Sequence, residues 1–302
     1  MVEAVSPTVA RRRVRLALRE AREAHGLTQQ QVADEMEWSL SKVIRIENGD
    51  VTIAPNDLRP LLSLYGIKDR ERVSDLLTAA KIARTRQRLA WYQASEFREN
   101  LSDASLRLIE YEAEAVAVRA YSIYYVPGYL QTTEYAEALT GKFREDIGDR
   151  RVQILLKARE LRRRTLLARI DQVELFLLLE ESVFMRPIGG PEVFAEQLRQ
   201  LKTAAVQQQI HLRMLPFDFD YSIPNNGSYD LMSLSGSKAD SEILYRENGM
   251  TDEIVEDRAS TERHRDRFEQ LWSQSTDEPD TIGFVDERIK ELETKSPNTL
   301  RS

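Results

Sequence analysis

The chain has no cysteine, and its three histidines, His25, His211 and His264, are scattered along 302 residues. The missing thiols exclude disulfides, thiolate-bound zinc and cysteine nucleophiles, and three dispersed imidazoles give no spacing from which to build a metal site. Long apolar runs are missing too. Nothing approaches the roughly 18 to 20 uninterrupted apolar residues of a membrane helix, and the opening MVEAVSPTVARRR has no apolar stretch behind its charges. The expectation is a cytoplasmic protein that spans no membrane and holds neither metal nor cofactor.

Motifs of the common enzyme classes are equally scarce. There is no H-E-x-x-H, no G-x-x-x-x-G-K phosphate loop and no G-x-G-x-x-G. Ser39-Leu40-Ser41-Lys42 has the S-x-x-K form, but the companion motifs of serine acyl enzymes are absent and Ser39 is better explained as a helix cap. No Ala-Gly bond of the kind cut in self-cleaving repressors occurs. An enzyme is not expected.

What is present is enough apolar material for two compact domains, at 41% hydrophobic residues and roughly 150 residues per domain as a prior. The net charge of −7 argues against a protein that coats nucleic acid over its whole surface. The charges are unevenly placed. Arg11, Arg12, Arg13, Arg15, Arg19 and Arg22 crowd the start, while Asp252, Glu253, Glu256, Asp257, Asp277, Glu278 and Asp280 gather near the end. A basic end on an acidic chain suggests DNA contact at that end only.

Along the first 66 residues the pattern is four short helices. Val14, Leu18 and Ala21 fall at helical spacing over 12–25, with Gly26 as a C-terminal cap. Thr28 opens a second helix in a T-x-x-Q capping box with Gln31, and Val32, Ala33 and Met36 face inward. Glu37 and Trp38 form a turn, and Ser39 caps a third helix that buries Val43 and Ile46 and stops at Asn48-Gly49-Asp50. Pro55 begins a fourth helix carrying Leu58, Leu61, Leu62 and Tyr65. A helix enters the major groove only when a neighbour braces it, with polar residues at its N-terminal end facing base edges.

The segment from Leu27 to Gly49, LTQQQVADEMEWSLSKVIRIENG, resembles the helix-turn-helix of phage repressors and the xenobiotic-response-element family. That resemblance implies phosphate contacts from Gln29 and Asn48 and base contacts from the start of the third helix, Ser39, Leu40, Ser41, Lys42 and Arg45. Arg45 suits bidentate readout of guanine, and Leu40 the methyl of thymine. Glu47 would pair with Arg22 inside the bundle. The family usually has glycine where this chain has Glu37, so a non-glycine residue is expected at positive φ. An isolated basic pair such as Lys42 and Arg45 is ordinarily a solvated helix face; the surrounding motif argues for a reading role.

Beyond residue 66 the sequence reads helical to about Arg119, with Lys81, Arg84, Arg86 and Arg88 before Trp91 and Tyr92. Tyr125-Val126-Pro127-Gly128 suggests a type II turn. Helices resume from Thr132 and again over 149–170. From Val173 the pattern changes: strands over 173–179 and 210–215 flank a helix over 191–208, which is a parallel crossover unit. Strands over 229–234 and 242–245 follow, set off by turns at Asn225-Asn226-Gly227 and Ser235-Gly236-Ser237, before helices over 253–272 and 281–292. The fold class is therefore a mainly α helix-turn-helix bundle followed by a mixed α/β domain with a small sheet. The expected divisions are 1–66 for DNA binding, 67–119 for connecting helices, 120–295 for a regulatory or partner-binding domain, and 296–302 for a disordered tail.

The order Val126-Pro127-Gly128-Tyr129-Leu130-Gln131-Thr132, then Arg186-Pro187-Ile188-Gly189-Gly190-Pro191, then Leu215-Pro216-Phe217 is similar to the C-terminal domain of WhiJ-like regulators of actinomycetes. That resemblance implies control of development or secondary metabolism, and a small partner protein encoded by an adjacent gene, in an arrangement likened to antitoxin and toxin, or a small-molecule effector. Trp91, Tyr124, Tyr125 and Tyr129 are candidates to line an effector pocket, although ordinary core packing is the commoner use of such aromatics. The expected partners are double-stranded DNA with a palindromic operator, a second copy of the chain in a homodimer, and that protein or effector. The alternative reading is an antitoxin-like interaction protein that binds a neighbouring-gene product and autoregulates its operon.

Overall fold

The computed structural model describes residues 6–85, 90–219, 227–234, 242–247 and 252–294. The chain divides into two compact units, one ending and the other beginning between Thr85 and Ala90. Arg86, Arg88, Asn225-Asn226, the Ser235-Gly236-Ser237 turn and the 296–302 tail lie outside the described residues.

The first unit is a bundle of five helices: α1 (Pro7–Ala24), α2 (Gln29–Glu35), α3 (Leu40–Asn48), α4 (Pro55–Leu64) and α5 (Arg70–Ala83). Its N-termini are set by local hydrogen bonds. Ser6 accepts from the Val9 N–H, Ser39 from Lys42, and Asp69 from Arg72, so each cap satisfies a donor that the helix itself cannot. Thr28 and Gln31 form the reciprocal capping box, Thr28 Oγ1 accepting from Gln31 N at 3.2 Å and Gln31 Oε1 from Thr28 N at 2.8 Å. Gly49 ends α3 at φ 81°, and an added Cβ would come within 2.8 Å of the Arg15 side chain; the chain bends there because glycine lets it.

One apolar cluster joins all five helices: Val14 and Leu18, Val32 and Ala33, Val43 and Ile46, Leu58 and Leu62, and Leu76, Leu77 and Ala80. Two expectations need correction here. Helix α1 starts five residues earlier than the apolar spacing indicates, because Pro7 is suited to a first turn and Ser6 caps it. Helix α5, expected among connecting helices, packs its Leu76, Leu77 and Ala80 into this core. A four-helix bundle without it would leave α1 with an uncovered apolar face.

The second unit contains α6 (Ser95–Arg98), α7 (Asp103–Glu112), β1 (Ala115–Ser122), α8 (Thr133–Thr140), α9 (Arg144–Ile147), α10 (Asp149–Leu167), β2 (Glu174–Glu180), α11 (Glu181–Met185), α12 (Pro191–Val206), β3 (His211–Leu215), β4 (Ser228–Leu234), β5 (Glu242–Glu247), β6 (Asp252–Val255), α13 (Arg258–Gln274) and α14 (Glu278–Thr294). The strands form one mixed sheet in the order β3-β2-β1-β4-β5-β6. Strands β1, β2 and β3 run parallel, with Leu177 opposite Ala120 and Leu212, whereas β4, β5 and β6 continue antiparallel. The crossover from β2 to β3 passes through α11 and α12, as the strand, helix, strand pattern suggests.

Helix α13 covers part of one face, with Phe268 and Leu271 against Tyr229, Leu231 and Leu244. The sheet is larger than its sequence signal in two places. β1 reads as helix because five of the eight residues of AVAVRAYS are alanine or valine without strict alternation, but it lies between β2 and β4 and is buried on both faces, where tertiary pairing overrides propensity. Residues 253–255, read as the start of a helix, instead pair with β5 as part of β6, and α13 begins only where Asp257 accepts from Ser260 N. The expected type II turn at Tyr125–Gly128 is also absent: Gly128 is not at positive φ, and Leu130 N donates to Pro127 O in a single 3₁₀ turn. No described helix is long and apolar enough to cross a membrane.

Candidate nucleic-acid interface

Helix α3 turns its Val43, Ile46 and Glu47 inward. At 100° per residue the opposite arc carries Ser41, Arg45 and Asn48, while Leu40, in the first turn, lies in line with Glu47. Leu40 is 38% exposed, unusual for a leucine, and Ser41, Arg45 and Asn48 are exposed. Three of the residues expected to touch DNA therefore share one solvent-facing stripe, and Leu40 is exposed at the start of the helix.

Lys42 lies at the edge of that stripe and is engaged within the bundle. Its Nζ donates to Asp57 Oδ2 at 3.0 Å and stands 3.7 Å from the centre of the Trp38 ring. The sequence places Lys42 in the reading set but gives no sign of either contact, since Asp57 is fifteen positions away on α4. Ser39 serves first as the α3 cap.

The buried Glu47 is the hinge of the motif's geometry. Its carboxylate accepts from Arg22 through Nε at 2.7 Å and Nη2 at 3.1 Å, and from Gln29 Nε2 at 2.8 Å, so α1, the start of α2 and α3 are joined at one group. The expected Arg22–Glu47 pair is present. Its tie to Gln29 is not evident from spacing. The hydrogen bond to Glu47 raises the Arg22 pKa despite the opposing effect of burial. Gln29 and Asn48, the two expected phosphate contacts, line one shallow recess of about 430 Å³ together with Arg19, Arg22, Thr28 and Glu47. Glu37 has φ 53° in the turn between α2 and α3, as its place in the motif requires.

The basic crowd at the N-terminus is less open than its composition suggests. Arg12 and Arg15 are buried, at 5% and 7% exposure, while Arg13 pairs with Asp75 and Arg19 with Glu23. Arg12 and Arg15 are therefore withdrawn from a polyanion, whereas Arg13 and Arg19 stay more than half exposed beside their partners.

The second unit contains a separate, partly open cavity of about 970 Å³. By the two-residue period of strands, Ser122, Ser228, Asp230, Tyr245 and Glu247 share one sheet face and form its floor. Opposite them stand Ser105 and Leu108 of α7 and Leu155, Ala158, Arg159 and Arg162 of α10. Of the aromatics expected around a pocket, Tyr124 and Tyr125 line this one. Trp91 and Tyr129 do not: Trp91 packs edge-on to Phe97 at 5.0 Å and donates to Thr165, and Tyr129 is buried at 2% exposure. Both went into packing, the commoner use of such side chains.

Sequence reading missed the cavity's charges altogether. Burial opposes the positive charge of Arg162, but two hydrogen bonds to Glu112, at 2.9 and 2.5 Å, outweigh it and raise its pKa. Arg159 has no such carboxylate, and loss of solvation together with the nearby Arg162 lowers its pKa. Desolvation, reinforced by Glu112, pushes the Asp230 carboxyl up to about 7. The available signal was a charged residue inside the otherwise apolar YDLM run of β4. No described cluster of three or more His, Asp or Glu side chains is arranged to hold a metal.

No curated protein and no solved structure matches the chain. Two families do. A helix-turn-helix domain matches residues 13–76, covering the α1–α4 geometry described above except the first six residues of α1, and supports a DNA-binding regulator. A domain of unknown function, DUF5753, matches residues 106–287, from α7 through the six-stranded sheet to α14. With more than half its length inside that match and a helix-turn-helix DNA-binding domain ahead of it, the chain belongs to the DUF5753 family.

Proposed function

We propose that this protein is a sequence-specific transcription regulator of the xenobiotic-response-element type, WhiJ-like in its second domain, whose α3 reads a palindromic operator as a homodimer and whose cavity holds an effector. The observation that carries the reading is the α3 stripe. Ser41, Arg45 and Asn48 are exposed together on one side, with Leu40 exposed at the helix start, while Val43 and Ile46 on the other side are buried. An exposed arginine in the middle of a braced, capped helix suits bidentate contact with guanine. Gln29 and Asn48 in a common recess beside Arg19 suit the phosphates that set register. Two copies of so small a reading surface, one DNA turn or roughly 34 Å apart, supply the affinity that an acidic chain lacks. The finer family assignment and an actinomycete origin rest on the motifs around Pro127, Gly189 and Pro216.

The test is titration of the full-length protein onto DNA from its own promoter and onto random DNA, followed by addition of a small-metabolite extract and, separately, of the neighbouring gene's product. The reading expects tight binding to the promoter DNA and release by the extract. Equal, weak binding to both DNAs overturns the DNA-reading role. Release by the neighbouring protein alone replaces the effector reading with the antitoxin-like one.

A further inference from the structure

The cavity in the second unit carries acids on its floor and arginines across from them, which act on one another through space, but Asp230, Glu247 and Arg159 form no direct pair. On its floor the Asp230 carboxyl has no hydrogen bond or ion pair with a described side chain, and neither has Glu247. Across from them Arg159 donates to the Thr140 hydroxyl and to no carboxylate. Yet the same cavity shows how the chain neutralises a charge it means to bury: Arg162 is clamped by Glu112 through two hydrogen bonds. Asp230 and Arg159 are half-buried and Glu247 is exposed, so each keeps part of its hydration, and a bound molecule with both complementary charges meets acids on one wall and a base on the other at once.

The remaining features limit the molecule's shape. A volume of about 970 Å³ is at the upper end of the roughly 300 to 1,000 Å³ of small-molecule sites. Phenol rings line it at Tyr124, Tyr125 and Tyr245, with Tyr124 and Tyr125 centred 6.2 Å apart. Gln131, 6% exposed, also lines the cavity; it donates to Val126 O, and its own Oε1 is buried without a hydrogen-bond partner.

We infer that this cavity takes a small, aromatic, amphoteric molecule of about dipeptide size, with its amine on Asp230 and Glu247 and its acid group on Arg159. The inference rests on the reading of the cavity as an effector site and names the chemical class of that effector. It assigns Arg159 and Asp230 opposite ends of the ligand, which gives them separable signatures.

The test uses the full-length protein and calorimetric titration with four forms of one probe: tyrosyl-tyrosine, its N-acetyl form, its C-terminal amide, and the doubly capped peptide. The expected result is at least tenfold tighter binding of the zwitterion than of either singly capped form. Asp230→Asn should weaken the preference for the free amine and keep that for the free carboxylate; Arg159→Met should abolish the preference for the free carboxylate and keep that for the free amine. Equal binding of all four forms to the parent protein overturns the charge assignment, and so does binding of none. The parent alone decides these outcomes, so a variant that fails to fold does not rescue the inference. If all four fail while a metabolite extract still releases promoter DNA, only the ligand class is wrong; if the extract also fails, the effector reading falls with it.

Discussion

Arg22 closes on the buried Glu47 through two hydrogen bonds, 2.7 and 3.1 Å, and Glu47 in turn holds Gln29 at 2.8 Å. At 4% exposure Glu47 cannot recover its hydration if a partner is lost. Arg22→Met should therefore destabilise the first unit by about 3 kcal/mol, and the double variant Arg22→Met, Glu47→Leu by clearly less, because it removes the stranded charge. Thermal unfolding of the three proteins checks this; equal losses in the single and double variants would contradict it.

The same geometry separates two roles on DNA. Arg45 is exposed on the α3 stripe and Gln29 lies in the recess beside Arg19 and Asn48. Arg45→Ala should weaken binding to the preferred site by about 1 to 3 kcal/mol and leave random DNA nearly unchanged. Gln29→Ala should weaken both by similar factors. Fluorescence anisotropy on the two DNAs measures the difference, and parallel losses for both variants would sink the assignment.

Glu37 occupies the left-handed region at φ 53°, where a side chain costs about 1 kcal/mol. Glu37→Gly should raise the stability of the first unit by about that amount and, by removing a negative charge near α2, increase affinity for random DNA. A lower melting temperature for the glycine variant would show that the Glu37 side chain contributes something the backbone argument omits.

The cavity predicts a pH dependence. In the folded protein the Asp230 carboxyl is raised from the ordinary 3.8 to about 7, by loss of solvation first and by Glu112 second. Between those values the folded state holds more protons than the unfolded state, so Asp230 lowers stability progressively as pH rises through that window and by a constant amount above it. Asp230→Asn removes this cost. Relative to the parent, the variant should gain stability between pH 5 and pH 8, on the order of 2 kcal/mol, with little further gain above pH 8. A gap that is the same at both pH values would place the Asp230 carboxyl at its ordinary acidity.

Legibility followed the range of the interactions. The caps at Thr28 and Ser39, the stop at Gly49 and the inward Val43 and Ile46 are set within four or five residues of chain, and all were readable from spacing. The parallel β2–β3 pair was readable because its helix separates two apolar runs of strand length. The central strand β1 was not, since its strand character comes from β2 and β4, tens of residues and more than a hundred residues away. The cavity was legible only at its rim, through Tyr124 and Tyr125. Its working charges, Asp230, Glu247 and Arg159, come from β4, β5 and α10 and meet only in the folded sheet.

The most direct test of the central claim is selection of the full-length protein on a library of random double-stranded DNA, with sequencing of what it retains. The account predicts an enriched palindrome whose half-sites lie about 10 base pairs apart, centre to centre, with a guanine position that Arg45→Ala leaves unselected. Retention without an enriched sequence, or the same motif recovered by the Arg45 variant, would contradict it.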